Sequence, residues 1–145
     1  MRMATLLLLL VLAAAVPAGA AEPVSRTFQA PLDQVWAATE VALKAAGWSL
    51  DHVDRPTGTI ITQSQREDGD NKGLLATTRR VRLYLRLSPA GREATAVRVE
   101  REQFVRERVL WVERDQPLPA ASLDAIVPPD HTLERQLLAA IARAL

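Results

Sequence analysis

A strict alternation of apolar and polar side chains between residues 79 and 87 constrains the fold of this chain more than any other feature. The aliphatic positions are Val81, Leu83, Leu85 and Leu87. The positions between them are basic or aromatic: Arg80, Arg82, Tyr84 and Arg86. Because successive side chains of a strand point to opposite faces of a sheet, the pattern predicts a strand with one buried and one solvated face. The aliphatic pattern resumes after a turn, at Thr95, Val97 and Val99, which predicts an antiparallel partner strand.

Two amphipathic helices flank the predicted strands. The first follows Pro31, has apolar residues three and four apart from Leu32 to Ala46, and ends at Gly47. The second is predicted to begin with Asp130 as its N-cap. Its apolar residues recur every four positions and form one stripe, which consists of Leu133, Leu137, Ile141 and Leu145.

The remaining segments are predicted to be extended or irregular. Residues 22–30 alternate and favour an edge strand, while residues 48–53 and 59–65 favour a hairpin around a turn. Residues 67–78 are polar and contain two glycines, which predicts a long mobile loop. Residues 100–114 contain no Gly, Pro or Asn and fit either a continuation of the sheet or a short helix, the first being favoured.

The order strand, helix, several antiparallel strands, helix predicts a two-layer α+β domain. Residues 22–145 are expected to form this single domain, an antiparallel sheet of four to six strands with both helices on one face, as in a helix-grip fold. Trp36 lies on the apolar face of the first helix and Trp48 follows its end, so both are expected in the core.

Residues 1–20 have the three-part layout of a secretory signal peptide. Arg2 supplies the positive charge, residues 6–16 form an apolar run too short to span a bilayer, and residues 18–20 are a small-residue cleavage site. The sequence therefore predicts a periplasmic or secreted protein that begins near Ala21, with an uncleaved anchor as the alternative. The chain has no cysteine to accept a lipid or form a disulfide, so no stable membrane anchor is expected after cleavage.

Composition and residue patterns exclude several function classes. The chain has 18 basic and 17 acidic side chains, and one of the basic ones is Arg2 in the predicted leader. The balanced remainder argues against a nucleic-acid partner, since such proteins rely on clustered cations. Residues 68–73 resemble the start of a calcium loop, but its fifth and twelfth positions are Lys72 and Arg79. His52 and His131 lack the nucleophile motif of a hydrolytic triad. We therefore expect no enzyme, cofactor or metal site.

A set of hydrophobic and turn positions extends over most of the predicted domain and ends with the C-terminal Leu-rich helix. The other positions of the set are residues 28–31, Val35, Trp36, Ala45, Gly47, Trp48, Asp54, Arg55 and residues 58–60. In these positions the sequence resembles periplasmic domains of the BamC (NlpB) lipoprotein type. The resemblance implies a helix-grip fold and a role in outer-membrane protein assembly. The lipid-attachment cysteine of that family is missing here, so membrane tethering is not implied, and no functional residue is carried over.

The basic face of the strand at residues 79–87 carries the first candidate interaction residues, which are Arg80, Arg82 and Arg86. One interpretation is an anion-binding face for phosphate headgroups or an acidic peptide. The favoured interpretation is a charge ladder across the strand pair. With Leu85 opposite Val97, Glu100 would face Arg82. Glu102 would then face Arg80.

The second candidate region is the apolar run around Trp111. The core is the expected place for this side chain, although its flanks, Arg108 and Glu113, also fit an exposed anchor for a partner. In an interaction module, some apolar surface must stay uncovered, and the segment from Phe104 to Val112 is the best candidate. The proline-rich segment after it would leave a sheet edge open for strand addition.

The predicted function is a non-enzymatic periplasmic protein-interaction module with an unidentified envelope protein as its partner. The resemblance links it to cell-envelope or outer-membrane assembly. The alternative is a small-ligand or lipid carrier with a cavity between sheet and helices. Inward-pointing Leu83, Leu85 and Val97 look like ordinary core filling, which favours the interaction module.

Overall fold

The computed structural model describes residues 23–68, 75–118 and 130–145. Within these ranges the chain forms an antiparallel sheet of seven strands and two helices, which confirms the predicted α+β class with more strands than expected. The elements are β1 (Val24–Phe28), α1 (Leu32–Ala45), β2 (Leu50–Asp54), β3 (Thr59–Thr62), β4 (Gln65–Asp68), β5 (Leu75–Pro89), β6 (Thr95–Val109), β7 (Val112–Pro117) and α2 (Thr132–Ala144). None of the helices in these ranges is long and apolar enough to cross a membrane. The predicted signal peptide and most of the calcium-like string lie outside the described residues.

A long antiparallel hairpin of β5 and β6 forms the centre of the sheet. Near the turn that joins them, the strand order is β1-β6-β5-β3-β2. Toward the other end of the hairpin, β4 pairs with β5 and β7 pairs with β6. Residues 75–78 belong to β5, so the loop predicted for residues 67–78 is wrong there, because pairing with residues 106–109 extends the strand. The extended alternative for residues 100–114 is confirmed, with a two-residue turn at 110–111.

The pairing of β5 with β6 is antiparallel as predicted, but its register differs by two residues. Leu85 lies opposite Val99, not Val97, and Arg82 lies opposite Glu102. The strands continue to Pro89 and Thr95, and a five-residue loop closes the hairpin with a hydrogen bond from the Ala90 N–H to the Ala94 carbonyl. A shift of two keeps every aliphatic side chain on the same face, so the hydrophobic pattern alone does not distinguish the two registers.

The core lies between one face of the sheet and the two helices. The sheet contributes buried Leu83, Leu85, Val97 and Val99, and the helices contribute buried residues on both sides of their contact: Val35, Trp36, Leu43, Leu137, Leu138 and Ile141. Trp36 and Trp48 are buried, as predicted.

The second helix differs from its predicted stripe. Leu145 is 51% exposed, and the buried side of α2 instead carries Glu134 and Leu138. His131 occupies the N-cap position, while Asp130 accepts a hydrogen bond from the Thr132 N–H at 3.0 Å. An α-helix has 3.6 residues per turn, so residues spaced exactly four apart move gradually around the helix axis. The last residue of the predicted stripe therefore no longer faces the sheet.

Candidate functional site

The most exposed apolar surface in the described residues is the tip of the β6–β7 hairpin, which we define as residues 109–112. Val109 pairs with Val112, and Leu110 and Trp111 form the turn between them. All four side chains are at least half exposed, and Trp111 is 88% exposed. The core location expected for Trp111 is therefore wrong, because β6 and β7 carry it to the end of a ribbon that neither helix covers.

The turn at this tip holds an unfavourable backbone conformation. Leu110 has a φ of +57°, and it is the only non-glycine residue with positive φ among those described. Trp111, at the second turn position, does not have positive φ, and positive φ at the first position alone is typical of a type II′ turn, in which that position usually belongs to glycine. A leucine there costs about 1–2 kcal/mol relative to glycine, since its Cβ crowds the backbone. The fold therefore displays an apolar side chain at a position where packing does not require one.

Phe104 is not part of this exposed surface. It lies on the face of the sheet away from the helices, yet it is only 4% exposed, so the expectation of an uncovered Phe104 is wrong. The guanidinium groups of Arg82 and Arg106 lie 5.1 Å and 5.8 Å from the centre of its ring, and Pro117 pairs with it from β7. The two arginines cover the ring with their planar groups and keep their charges at the surface.

The arginines around Phe104 are engaged within the protein. Arg80 donates two hydrogen bonds of 2.7 Å to the hydroxyl and carbonyl oxygens of Ser64. Burial, together with the nearby Arg106 and Arg66, lowers its pKa. Arg82 forms a hydrogen-bonded ion pair with Glu102, and this bond raises the pKa of Arg82. Of the two arginines in the predicted charge ladder, only Arg82 lies opposite an acidic residue, Glu102. Arg80 lies opposite Phe104.

A second ion pair extends this neutralised face onto β7. Arg106 donates hydrogen bonds of 2.6 Å and 2.9 Å to the two carboxylate oxygens of Asp115. These bonds hold the pKa of Asp115 below its ordinary value of 3.8. Arg80, Arg82 and Arg106 thus stabilise the distal half of the sheet and leave little free charge for a partner.

The Asp115 pair predicts a dependence of stability on pH. Because the folded-state pKa is lowered, the pair contributes stability above the unfolded value of 3.8 and loses it as the pH falls through the folded pKa. We expect Asp115→Asn to lower the free energy of unfolding by at most about 1 kcal/mol at pH 7, since the pair is part-exposed. The difference from wild type should vanish at about pH 2, as measured by urea denaturation. Asp51→Asn, at an exposed site on β2, is the matched control. A difference that persists in acid would contradict the assignment.

Arg86 is the exception among the predicted arginines. It is exposed on β5 and lies directly opposite Arg98 of β6. Within the described ranges neither side chain has a hydrogen bond, an ion pair or a ring contact. The sequence interpretation missed Arg98, because the expected register places Ala96 opposite Arg86. The correct register of the hairpin is the signal that would have found this pair.

A buried ion pair joins α2 to the sheet, and sequence reasoning missed it as well. The Arg101 Nε of β6 lies 3.2 Å from the Glu134 Oε1, and the Glu134 side chain is only 2% exposed. His131 Nδ1 lies 3.8 Å from the same oxygen. The sequence held a signal: Glu134 precedes Leu137, Leu138 and Ile141 at helical spacing, which places a carboxylate on the buried face and calls for a cationic partner.

The space between the sheet and the helices, where the carrier alternative requires a cavity, is lined by closely packed side chains in the described residues. Leu83, Leu85 and Ile141 are almost completely buried in that space. An open groove of about 320 Å³ lies instead between the two helices, lined on one side by Ala42 and Trp48. The three described ranges also contain no group of three His, Asp or Glu side chains placed to hold a metal ion.

The comparisons with known proteins assign this chain to no family. The sequence matches no known protein-family model, and a search of curated proteins finds no significant match. The resemblance to BamC-type domains therefore stays a prediction, and a functional proposal has to rest on the exposed surfaces.

Proposed function

We propose that the protein is a non-enzymatic protein-interaction module of the bacterial periplasm or cell envelope that contacts its partner through the tip at residues 109–112. The observation that carries the proposal is the exposure of four consecutive apolar side chains, with Trp111 88% exposed. Exposed apolar residues occur singly on most protein surfaces, whereas a contiguous apolar group commonly marks a contact site.

The chemistry of the tip fits a protein partner. Tryptophan is enriched among the residues that dominate binding energy, and it buries a large area with few rotatable bonds. Charged residues follow the tip on both strands, with Arg108 opposite Glu113 and Glu107 opposite Arg114. An apolar centre with a polar rim is the usual arrangement of a protein contact, because the rim excludes water from the anchor.

The edge strand behind the tip supplies a second element of contact. All six residues of β7 are exposed, and β7 pairs only with β6 in the part of the chain that the structure describes. The outer edge of such a strand presents backbone donors and acceptors to an incoming extended segment. A partner strand added beside β7 would place its own end next to Trp111.

The predicted leader at residues 1–20 supports the envelope as the place of action, and the resemblance to BamC-type domains supports a link to envelope assembly. The chain contains no cysteine that could accept a lipid. In the proposed role, the hairpin of β6 and β7 presents the tip away from the helices.

The test places a photo-crosslinking amino acid at position 112, next to either the native Trp111 or Trp111→Ala, in the native envelope. We expect a discrete crosslinked partner and loss of its capture by Trp111→Ala protein. The substitution should change the free energy of unfolding by no more than about 0.5 kcal/mol, the range for surface sites, whereas a core tryptophan would cost about 3–5 kcal/mol.

The matched control is the same crosslinker at Val53, a 43% exposed residue on the edge strand β2. The proposal predicts a product at position 112 that is absent at position 53. Equal products at both positions, or a large fall in melting temperature for Trp111→Ala, would remove the basis of the proposal.

A further inference from the structure

Two arginines stand side by side on the face of the sheet that the helices leave open. Arg86 and Arg98 are directly opposite each other in the β5–β6 pairing, and both are exposed. Their sequence neighbours Leu85, Leu87, Val97 and Val99 are buried against the helices, which places the arginines on the opposite face. Among the described residues, neither guanidinium has a polar or aromatic partner.

Stability does not explain this arrangement. Like charges directly opposite each other on neighbouring strands are destabilising. Most other arginines of the sheet have a partner: Arg82 lies opposite Glu102 and Arg106 lies opposite Asp115. Arg80 lies opposite another arginine, Arg66, but it donates two hydrogen bonds to Ser64. Arg86 and Arg98 differ because neither has such a partner in the described ranges, although many neutral or acidic residues would fit at these solvent-facing positions.

The two strands outside the pair add further hydrogen-bond donors at the same level. Ser25 of β1 lies opposite Arg98, and Thr59 of β3 lies opposite Arg86. A row of four residues thus crosses four adjacent strands as hydroxyl, guanidinium, guanidinium and hydroxyl. Guanidinium groups only donate hydrogen bonds, so the centre of the row calls for an acceptor that carries negative charge.

The protein itself supplies little of that charge. Two carboxylates lie nearby on this face: Glu100 of β6 is opposite Tyr84, and Asp54 of β2 is opposite Thr59 at the end of the row. Neither forms an ion pair with Arg86 or Arg98 in the described structure. We propose that the row Ser25–Arg98–Arg86–Thr59 binds a phosphate group. Two forked guanidinium groups present parallel N–H donors that fit the oxygens of a phosphate, and the flat open sheet face admits a group attached to a larger molecule. This site is separate from the tip at residues 109–112 and does not depend on the function proposed for it.

The first experiment measures binding of inorganic phosphate to the purified protein. Arg86→Gln with Arg98→Gln removes the pair, and Arg92→Gln with Arg143→Gln removes the same charge from two exposed arginines outside the row. We expect phosphate to raise the melting temperature of wild type and of the control. The row variant should bind at least about tenfold more weakly, because it loses charge-assisted hydrogen bonds.

Stability without phosphate gives an independent readout. The row variant should melt at or above the wild-type temperature, since it relieves a like-charge contact. A row variant that melts well below wild type would show that the pair has a structural role and would overturn the proposal. Equal phosphate binding by both double variants, or no binding by wild type, would overturn it as well.

The source of the phosphate group is distinguished with vesicles of phosphatidylglycerol. Retention of wild type and of the Arg92/Arg143 control, with loss in the row variant, would assign the site to a lipid headgroup. Phosphate binding that depends on the row, without retention on vesicles, would assign it to a soluble phosphate compound. Retention that is equal for the two double variants, without row-dependent phosphate binding, would contradict the site.

Discussion

Arg101→Met is expected to lower the free energy of unfolding by about 3–5 kcal/mol, because it breaks a buried ion pair. The substitution removes the cation that lies 3.2 Å from the Glu134 carboxylate, whose side chain is only 2% exposed, and leaves only His131 Nδ1 near it, at 3.8 Å. It also removes a hydrogen bond from Arg101 to the Asp130 carbonyl, which helps to hold the start of α2 against β6. Urea denaturation at pH 7 measures the loss.

The double variant Arg101→Met with Glu134→Met is the control for this result. Replacing both partners of a buried pair by apolar side chains of similar size is often neutral or stabilising, because neither charge remains to be desolvated. We therefore expect the double variant to recover most of the loss, with a large coupling energy in the double-mutant cycle. Additive losses from the two single substitutions would show that the pair is not a unit in the folded protein.

Gly58→Ala is expected to cost about 3 kcal/mol or more, because strain and a steric clash act together. Gly58 has a φ of +70°, and a Cβ at this position would lie 2.0 Å from the Leu87 carbonyl oxygen. The Leu87 N–H also donates a 2.7 Å hydrogen bond to the Gly58 carbonyl, so the turn between β2 and β3 is held close to the end of β5. Backbone strain alone costs about 1–3 kcal/mol, and relief of the contact would break this bond as well.

Gly47→Ala separates the strain from the contact. Gly47 has a φ of +81°, but a Cβ added to it would meet no atom within 4 Å. Only the left-handed conformation is therefore penalised, at about 1–2 kcal/mol. Chemical denaturation of both variants should rank the loss from Gly58→Ala well above the loss from Gly47→Ala. Equal losses would mean that the turn can move away from β5 without a further penalty.

Local patterns predicted the elements of this fold well. The period of two in residues 79–87 and the helical spacing in residues 32–46 each correspond to an observed strand or helix. Each pattern reflects a physical constraint within one element, since a strand or helix must bury one face. The last residue of the predicted α2 stripe shows the limit, because Leu145 satisfies the spacing but lies beyond the surface that the sheet covers.

The candidate sites were less accessible to sequence reasoning. Trp111 and Phe104 are both large apolar residues within a polar segment, yet one is exposed and the other is buried. Their difference in exposure depends on residues from other strands. An arginine side chain covers the Phe104 ring, whereas Trp111 lies in the two-residue turn at the end of the hairpin. A sequence window around either residue does not contain those neighbours.

The sequence by itself determined the α+β class, the antiparallel central pair and the buried face of α1, because hydrophobic periodicity acts within single elements. The tertiary structure alone decided the register of β5 against β6, which pairs Arg82 with Glu102 and sets Arg86 beside Arg98. It also decided that Glu134 meets Arg101 and that the tip at residues 109–112 remains uncovered. A two-residue shift preserves the buried face but changes every charge partner, so the surfaces available for binding depend on hairpin geometry that the hydrophobic pattern leaves open.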